Sequence, residues 1–424
     1  MSSILTNNSA MVALQTLKSV NKSMVGIQGQ ISTGMKVASA KDNSAVWAIS
    51  KVMESDVKGF KGISESLALG ESTVAVARQA SETVTDLLTQ MKGKIVASQE
   101  ENVDREKIQA DVDALRGQIG TVVSAAQFNG LNLLSNAEKT AGSGTVNILS
   151  SLDRSTSGVA VSQIAVGKQD LGTTASAITG TAIATATNNL TGAADAAASA
   201  LTGAATPPTS ALTVTGVEAG FGYSLAITAG AGNYAAVATG GLNDISYVAR
   251  DGDTVTDVAA GLAKAFNAYV AEEMGDDVST VAATSAAGVV TFTGSSVTGD
   301  NFSITANGYA AAGNTIGGGL SAVTDIDITS DSGAASALTE IETLIQTSID
   351  AAASFGSVQS RIETQSDFIG TLTDSLKSGI GTLVDANMEE ASARLQALQV
   401  QQQLAVQAMS IANQAPQTLL SLFR

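Results

Sequence analysis

The sequence predicts a chain that is mainly α at both ends, a long antiparallel helical bundle with paired terminal coiled-coil helices, carrying a β-rich α+β insertion in its middle. Three observations predict it. Apolar residues recur at alternating steps of three and four near both termini. No proline precedes Pro207, so nothing interrupts long helices in the first part of the chain. Between Leu171 and Leu320 the pattern changes to short runs in which Gly, Thr and Ser alternate with apolar residues, and all five tyrosines fall there.

Composition narrows the function classes. At 424 residues the chain is long enough for more than one packed unit. It has no cysteine and no histidine, which removes disulfides, thiolate and imidazole metal ligands, and nucleophiles that depend on an imidazole base. A formal net charge of -17 repels phosphate backbones and anionic lipid surfaces, so neither nucleic acid nor membrane is expected as a partner. No enzyme activity, metal or cofactor is expected.

The N-terminus reads as structure rather than a secretion signal, because Thr6 to Ser9 interrupt any apolar run and no basic residue precedes it. Met11, Leu14, Leu17, Met24, Ile27 and Ile31 form a helical seam, Gly34 ends that helix, and Asp42, Asn43 and Ser44 offer caps for the next. Met53, Phe60, Leu67 and Val74, then Val84, Leu88, Met91 and Ile95, predict a long helix. A further helix runs from about Asp104 to Ala126 on Ile108, Val112, Leu115, Ile119 and Val122. The returning helix carries Leu338, Ile341, Ile345 and Ile349, then Ile362, Ile369, Leu372, Leu376, Ile380 and Leu383, closing an antiparallel bundle.

The C-terminal segment has two apolar rows. Met388, Ala391, Leu395, Leu398, Gln402, Ala405, Met409 and Ala412 make a heptad seam whose phase continues to Leu419 and Phe423. Ala393, Ala397, Val400, Leu404, Ala408 and Ile411 lie on roughly the opposite side. No charged residue falls between Leu395 and Phe423, but eight glutamines there argue against a membrane span and for a helix packed among protein helices. Two apolar faces need two sets of neighbours: the N-terminal seam supplies one, other subunits the second. The expected subunit-interface set is Met11, Leu14, Leu17, Met24, Ile27, Ile31, Met388, Leu395, Leu398, Val400, Leu404, Met409, Ile411, Leu419 and Phe423.

In the middle, runs such as Leu212 to Val217, Ser224 to Thr228 and Val289 to Thr293 predict strands, and Val258, Leu262, Phe266 and Tyr269 share one helical face. The Ala- and Thr-rich stretch Thr173 to Ser210 reads as a linker. Gly230, Gly232 and Ala235 imitate a dinucleotide-binding turn, but Gly240 and Gly241 break the helix that should follow, so a plain glycine turn is the better reading. Asp251, Asp253 and Asp257 lack the glycine and distal glutamate of a calcium loop and read as helix capping. Glu272, Glu273, Asp276 and Asp277 read as a solvated helix end.

The residues now carry a resemblance. Ile31 to Ser50, ISTGMKVASAKDNSAVWAIS, resembles the segment that follows the first helix in bacterial flagellins, most closely those of alphaproteobacteria. The opening MSSILTNNSAMVALQTL, the run Glu390 to Leu404 and the end Ser410 to Arg424, SIANQAPQTLLSLFR, are similar to that family too. The likeness covers about the first 170 and last 90 residues. It implies residues 1-45 as an inner-tube helix and connector and 46-170 as the first part of a helical core domain with a β-hairpin. Residues 171-325 would be a variable surface-exposed β-rich domain, 326-385 the core domain's C-terminal helix, and 386-424 the C-terminal inner-tube helix. The implied function is a self-polymerising filament subunit for swimming motility, secreted by type III export. Implied partners are hook-associated junction and cap proteins and an export chaperone on the C-terminal helix. The alternatives are a hook-filament junction protein and, further off, a non-flagellar surface adhesin. The protease inserted in some relatives needs a zinc-binding histidine pair, which this chain lacks. One departure stands out: where receptor-detected flagellins bear a charged Arg and Glu surface, Leu87 to Ala97 places Gln90 and Gly93, so innate-receptor binding is expected to be weak or absent.

Overall fold

A computed structural model describes residues 7-155, 158-183, 199-234, 242-273 and 280-421. In chain order come helices α1 (Asn8–Thr33), α2 (Ser44–Ala97) and α3 (Arg105–Ala125), strands β1 (Gln127–Phe128) and β2 (Leu131–Asn132), then β3 (Thr145–Ser155) and β4 (Gly158–Gly167). The middle holds β5 (Ser199–Thr202), β6 (Thr209–Thr213), β7 (Gly222–Ala231), β8 (Ser246–Val248), α4 (Val255–Glu273), β9 (Ala282–Ala286), β10 (Val289–Thr293) and β11 (Asn301–Tyr309). Two helices end the chain, α5 (Asp331–Val384) and α6 (Met388–Ser421). The contacts divide into two compact units, one of Met1–Glu65, Ser151–Ala160 and Ser366–Arg424, the other of Ser66–Ser150 and Val161–Gln365.

In the second unit, long helices form because their buried positions keep strict heptad steps. On α2 the row Leu67, Gly70, Val74, Ala77, Ser81, Val84, Leu88, Met91 and Ile95 is buried throughout. The expected apolar positions of α2 from Phe60 to Ile95 are therefore buried, whereas Met53 is half-buried. On α5 the expectation needs correction: Ile349 is 43% exposed, and the buried row is Ala334, Ala337, Ile341, Leu344, Ser348, Ala351, Phe355 and Ile362. Reading only large residues drifted off the seam, which runs through Ala and Ser. Small side chains bring the helices close enough for direct polar contact: Ser348 Oγ donates to the Ser81 carbonyl at 3.0 Å and accepts from Thr85 Oγ1 at 2.9 Å. Arg78 Nε to Gln359 Oε1, 2.9 Å, and the Lys92–Glu342 ion pair confirm that α2 and α5 run antiparallel here. The third helix, α3, buries Val112 and Ile119 as expected, is capped by Asp104, and joins α2 through Lys94–Asp111 at 2.6 Å. The hairpin β1–β2 turns on Asn129 and Gly130, both at positive φ (49° and 81°), the geometry a two-residue turn requires.

The middle is β-rich. One sheet has the order β5-β11-β7-β8 and a second β6-β10-β9, all pairs antiparallel. Both sheets share a core with α4, whose Val258, Leu262 and Phe266 are fully buried; Phe266 meets Phe292 edge-on at 5.0 Å, and Tyr234 meets Phe302 at 5.1 Å. Two expectations shift. The strand placed at Leu212 to Val217 is β6, Thr209–Thr213, and the supposed linker contains β5, paired with β11, so Pro207 and Pro208 connect two strands. Gly230 lies in β7 where a Cβ would meet the Asn301 carbonyl, and Gly232, at φ 68°, turns beside Asp300; Ala235, Gly240 and Gly241 lie outside the described residues.

The three loop aspartates do different work. Asp257 caps α4 by accepting from Thr254 N and Oγ1, Asp251 accepts from Gly144 N at 2.6 Å, and Asp253 accepts from Tyr247 Oη and Arg250 N, each at 2.7 Å. Only Asp257 matches the capping expectation. Asp276 and Asp277 and the side chains of Glu272 and Glu273 lie outside the described residues. Arg250 is the hub: it pairs with the buried Asp170 at 3.0 Å, donates to Tyr247 Oη at 3.0 Å and to the Gly317 carbonyl, and lies over the Tyr247 ring. Burial raises the Tyr247 phenol and, against its hydrogen bonds, the Asp253 carboxyl above their usual ranges. Arg250→Met leaves a buried carboxylate without its cation and is expected to cost about 3-5 kcal/mol in urea unfolding of this unit. The double variant Asp170→Leu with Arg250→Met recovers much of that loss; equal loss in both would refute the pairing.

Candidate assembly surface

In the first unit, α1 and α6 pair antiparallel. Asn7 caps α1 by accepting from Ala10 N at 3.0 Å while its Nδ2 donates to the Ala412 carbonyl at 2.8 Å, and Gln402 Nε2 donates to Asn21 Oδ1 at 2.9 Å. The other ends are held through their connectors. Gly34, at φ 71°, closes α1 by donating to the Gln30 carbonyl at 2.8 Å, Lys36 N donates to the Val384 carbonyl at 2.6 Å and Ala386 N to the Gly34 carbonyl at 2.9 Å. Asn43 Oδ1 then caps α2 through Val46 N at 3.2 Å, and Asp42 holds the connector through Ser39.

Burial on α6 separates the two apolar rows. Ala391 and Ala405 are buried, and Leu395, Leu398, Gln402, Met409 and Ala412 are half-buried, all on the row facing α1. Every member of the other row, Ala393, Ala397, Val400, Leu404, Ala408 and Ile411, is exposed. Leu395 and Leu404 stand about half a turn apart at ~100° per residue. Val400, Leu404 and Ile411 are 56%, 57% and 68% exposed, on a stretch with no charged residue from Leu395 to Phe423. These apolar side chains form an exposed stripe along one side of the helix.

The α1 side corrects part of the expectation. Its covered row is Ala10, Ala13, Leu17, Val20, Met24, Ile27 and Ile31, whereas Met11 and Leu14 are exposed and do not belong to the intrachain seam. Counting back from Ile31 by strict alternation of four and three reaches Val20, Ala13 and Ala10; the larger Met11 and Leu14 drew the reading one position off. Leu17, Met24, Ile27, Ile31, Leu395, Leu398 and Met409 thus come together within the chain, while Met11, Leu14, Met388, Val400, Leu404 and Ile411 are left facing out. Sequence reasoning missed Val12, Val25 and Val406, also exposed. The side chain of Leu419, and Phe423 entirely, lie outside the described residues. No helix among the described residues is long and apolar enough to cross a membrane.

Comparison with known proteins agrees with these paired ends. The bacterial flagellin N-terminal helical region matches residues 4-139, and the bacterial flagellin C-terminal helical region matches residues 338-423. Flagellin A of Rhizobium meliloti is 36% identical over 429 residues and flagellin B of the same organism 34%, each comparison covering 100% of both chains. The crystal structure of Xanthomonas campestris FlgL covers 77% of this chain and 98% of that one at 14% identity, with a TM-score of 0.30, too low to bear on the fold or to favour a junction protein. With helical regions matched at both ends and relatives alike along the whole length, the chain belongs to the bacterial flagellins and is a structural subunit of the extracellular flagellar filament.

Proposed function

We propose that subunits join the filament through the outward row of α6, Val400, Leu404 and Ile411 with the alanines between them, together with Met11, Leu14 and Met388. The row facing α1 closes within each chain. The observation that carries this reading is the split on α6 between a covered row and an uncharged exposed one. Each Leu, Val or Ile buried on assembly contributes roughly 1.5-3 kcal/mol, and no charge is desolvated along the row. Contacts repeated head to tail without closing a ring generate an open helical polymer, so one chain type suffices. On this reading 171-325 is the outer, surface-exposed segment and the terminal segments 1-45 and 386-424 are the inner ones. An export chaperone covers the C-terminal helix before secretion, and junction and cap proteins meet the same row at the filament ends. Its role is structural, and without histidine or cysteine it has no imidazole- or thiolate-based chemistry.

Purified monomer added to filament seeds tests the reading under negative-stain microscopy. Unlimited elongation is expected; seeds that stop with a capped end would favour a junction protein. For the innate receptor, Gln90 is exposed on α2 and Gly93 has open space around it, so neither presents the arginine or glutamate that a charged contact needs. Purified monomer is expected to leave flagellin-receptor reporter cells silent, with signal gained in Gln90→Arg/Gly93→Glu. Stimulation by the unaltered chain would refute this.

A further inference from the structure

The chain has nine methionines and no cysteine, so thioethers are its most easily oxidised sulfurs. They are not equally accessible. Met11, Met35 and Met388 are 58%, 41% and 43% exposed, whereas Met91 is fully buried and Met24, Met53 and Met409 are half-buried; Met1 and Met274 lie outside the described residues. Among the described residues the three exposed thioethers all sit on the elements that pair the two ends. Met11 lies in the first turn of α1, beside its covered row. Met35 bridges Asp385 where the two connectors cross, and Met388 opens α6 three residues further on. Met35 and Met388 thus flank the backbone bonds Lys36 N to Val384 O and Ala386 N to Gly34 O.

We propose that Met11, Met35 and Met388 form an oxidation-sensitive set whose conversion to sulfoxides blocks subunit addition, and that incorporation into the filament shields them. The proposal rests on the assembly-surface reading above, which holds Met11 and Met388, and extends it to Met35 at the adjoining connector crossing. A hydroperoxide transfers its terminal oxygen to the thioether sulfur: the O–O bond breaks, an S–O bond forms, the sulfide is oxidised by two electrons, and the peroxide is reduced to an alcohol or, from hydrogen peroxide, to water. The product is a polar, chiral group with a strong acceptor oxygen. In an apolar contact that oxygen finds no donor, and burying it unpaired opposes association.

Free monomer treated with graded hydrogen peroxide, mapped by peptide mass spectrometry and then added to filament seeds, tests the proposal. Sulfoxide is expected at Met11, Met35 and Met388 before Met24, Met53, Met91 and Met409. The critical concentration for growth is expected to rise about tenfold or more and to return to its starting value after treatment with methionine sulfoxide reductases. The variant Met11→Leu/Met35→Leu/Met388→Leu should keep its growth after the same dose, and preformed filaments should take up less oxygen at the three positions than monomer does. If the triple variant does not assemble untreated, single Met→Leu variants and reductase repair of the unaltered chain give the same decision. Normal growth of monomer mapped as oxidised at all three positions overturns the proposal, as does equal loss of growth in the leucine variant. Failure of the assembly-surface reading shows separately, as unimpaired growth of untreated Leu404→Lys monomer.

Discussion

A chain ending at Arg394 is expected to form no filament at any concentration, yet to keep most of its helix. Removing residues 395-424 deletes both rows of α6 beyond Ala393, the one that covers α1 and the one left open. The α1 helix loses its partner, and a helix of this kind gains most of its stability from packing rather than from propensity. The second unit does not depend on that partner. Its seams on α2, α3 and α5 are closed by Leu67 to Ile95, Val112 and Ile119, and Ala334 to Ile362. Circular dichroism is therefore expected to lose the α1 and α6 contribution only, with the thermal transition of the remaining bundle preserved, and sedimentation to find monomer alone. Filaments from the truncated chain would remove the terminal pair from the assembly mechanism; collapse of the whole helical signal would show that the bundle leans on the ends.

Leu404→Lys and Leu398→Lys are both expected to stop growth, for different reasons. Leu404 is 57% exposed in the monomer, so a lysine there is solvated, the α1–α6 pair stays intact, and the ammonium is desolvated only on assembly. An unpaired charge at a packed contact costs about 3 kcal/mol or more, which raises the critical concentration by over ~100-fold. Leu398 faces α1 and is half-buried, so lysine there loosens the intrachain pair first. Hydrogen exchange separates the two: α1 amides keep their protection in Leu404→Lys and lose it in Leu398→Lys. The same exchange pattern in both variants would mean that the two rows are not distinct in function.

Much of this was legible in the chain because the physics is local. Heptad steps on α2 identify Leu67, Val74, Val84, Leu88, Met91 and Ile95, each of which is buried, and Gly34 and Asn43 end and begin helices where their chemistry predicts. The two rows of α6 were readable from spacing alone. What spacing did not give was which neighbour each row meets, because that depends on the path of the connectors and on where the Gly34–Val384 crossing sets the register. Seams built on Ala10, Ala13, Ala337, Ser348 and Ala351 were missed for a related reason. Small residues carry little hydrophobic signal individually, yet they permit the closest helix approach. In the middle, β5 was hidden in an Ala- and Thr-rich stretch because its pairing with β11 is a long-range contact across about a hundred residues. The Arg250–Asp170 pair was equally out of reach, being 80 residues apart in sequence and joined only by the fold.

On the proposed assembly, one row of α6 closes within the chain and the other closes only between chains. The absence of cysteine allows a direct measurement, since a single introduced thiol is the only maleimide target. Leu404→Cys and Leu398→Cys are labelled as monomer and again in filaments grown from seeds. Fast labelling is expected at position 404 and slow labelling at 398 in the monomer, with the rate at 404 falling about tenfold or more on polymerisation as the thiol is buried. A position-404 thiol that reacts in the filament as fast as in the monomer would contradict that assembly.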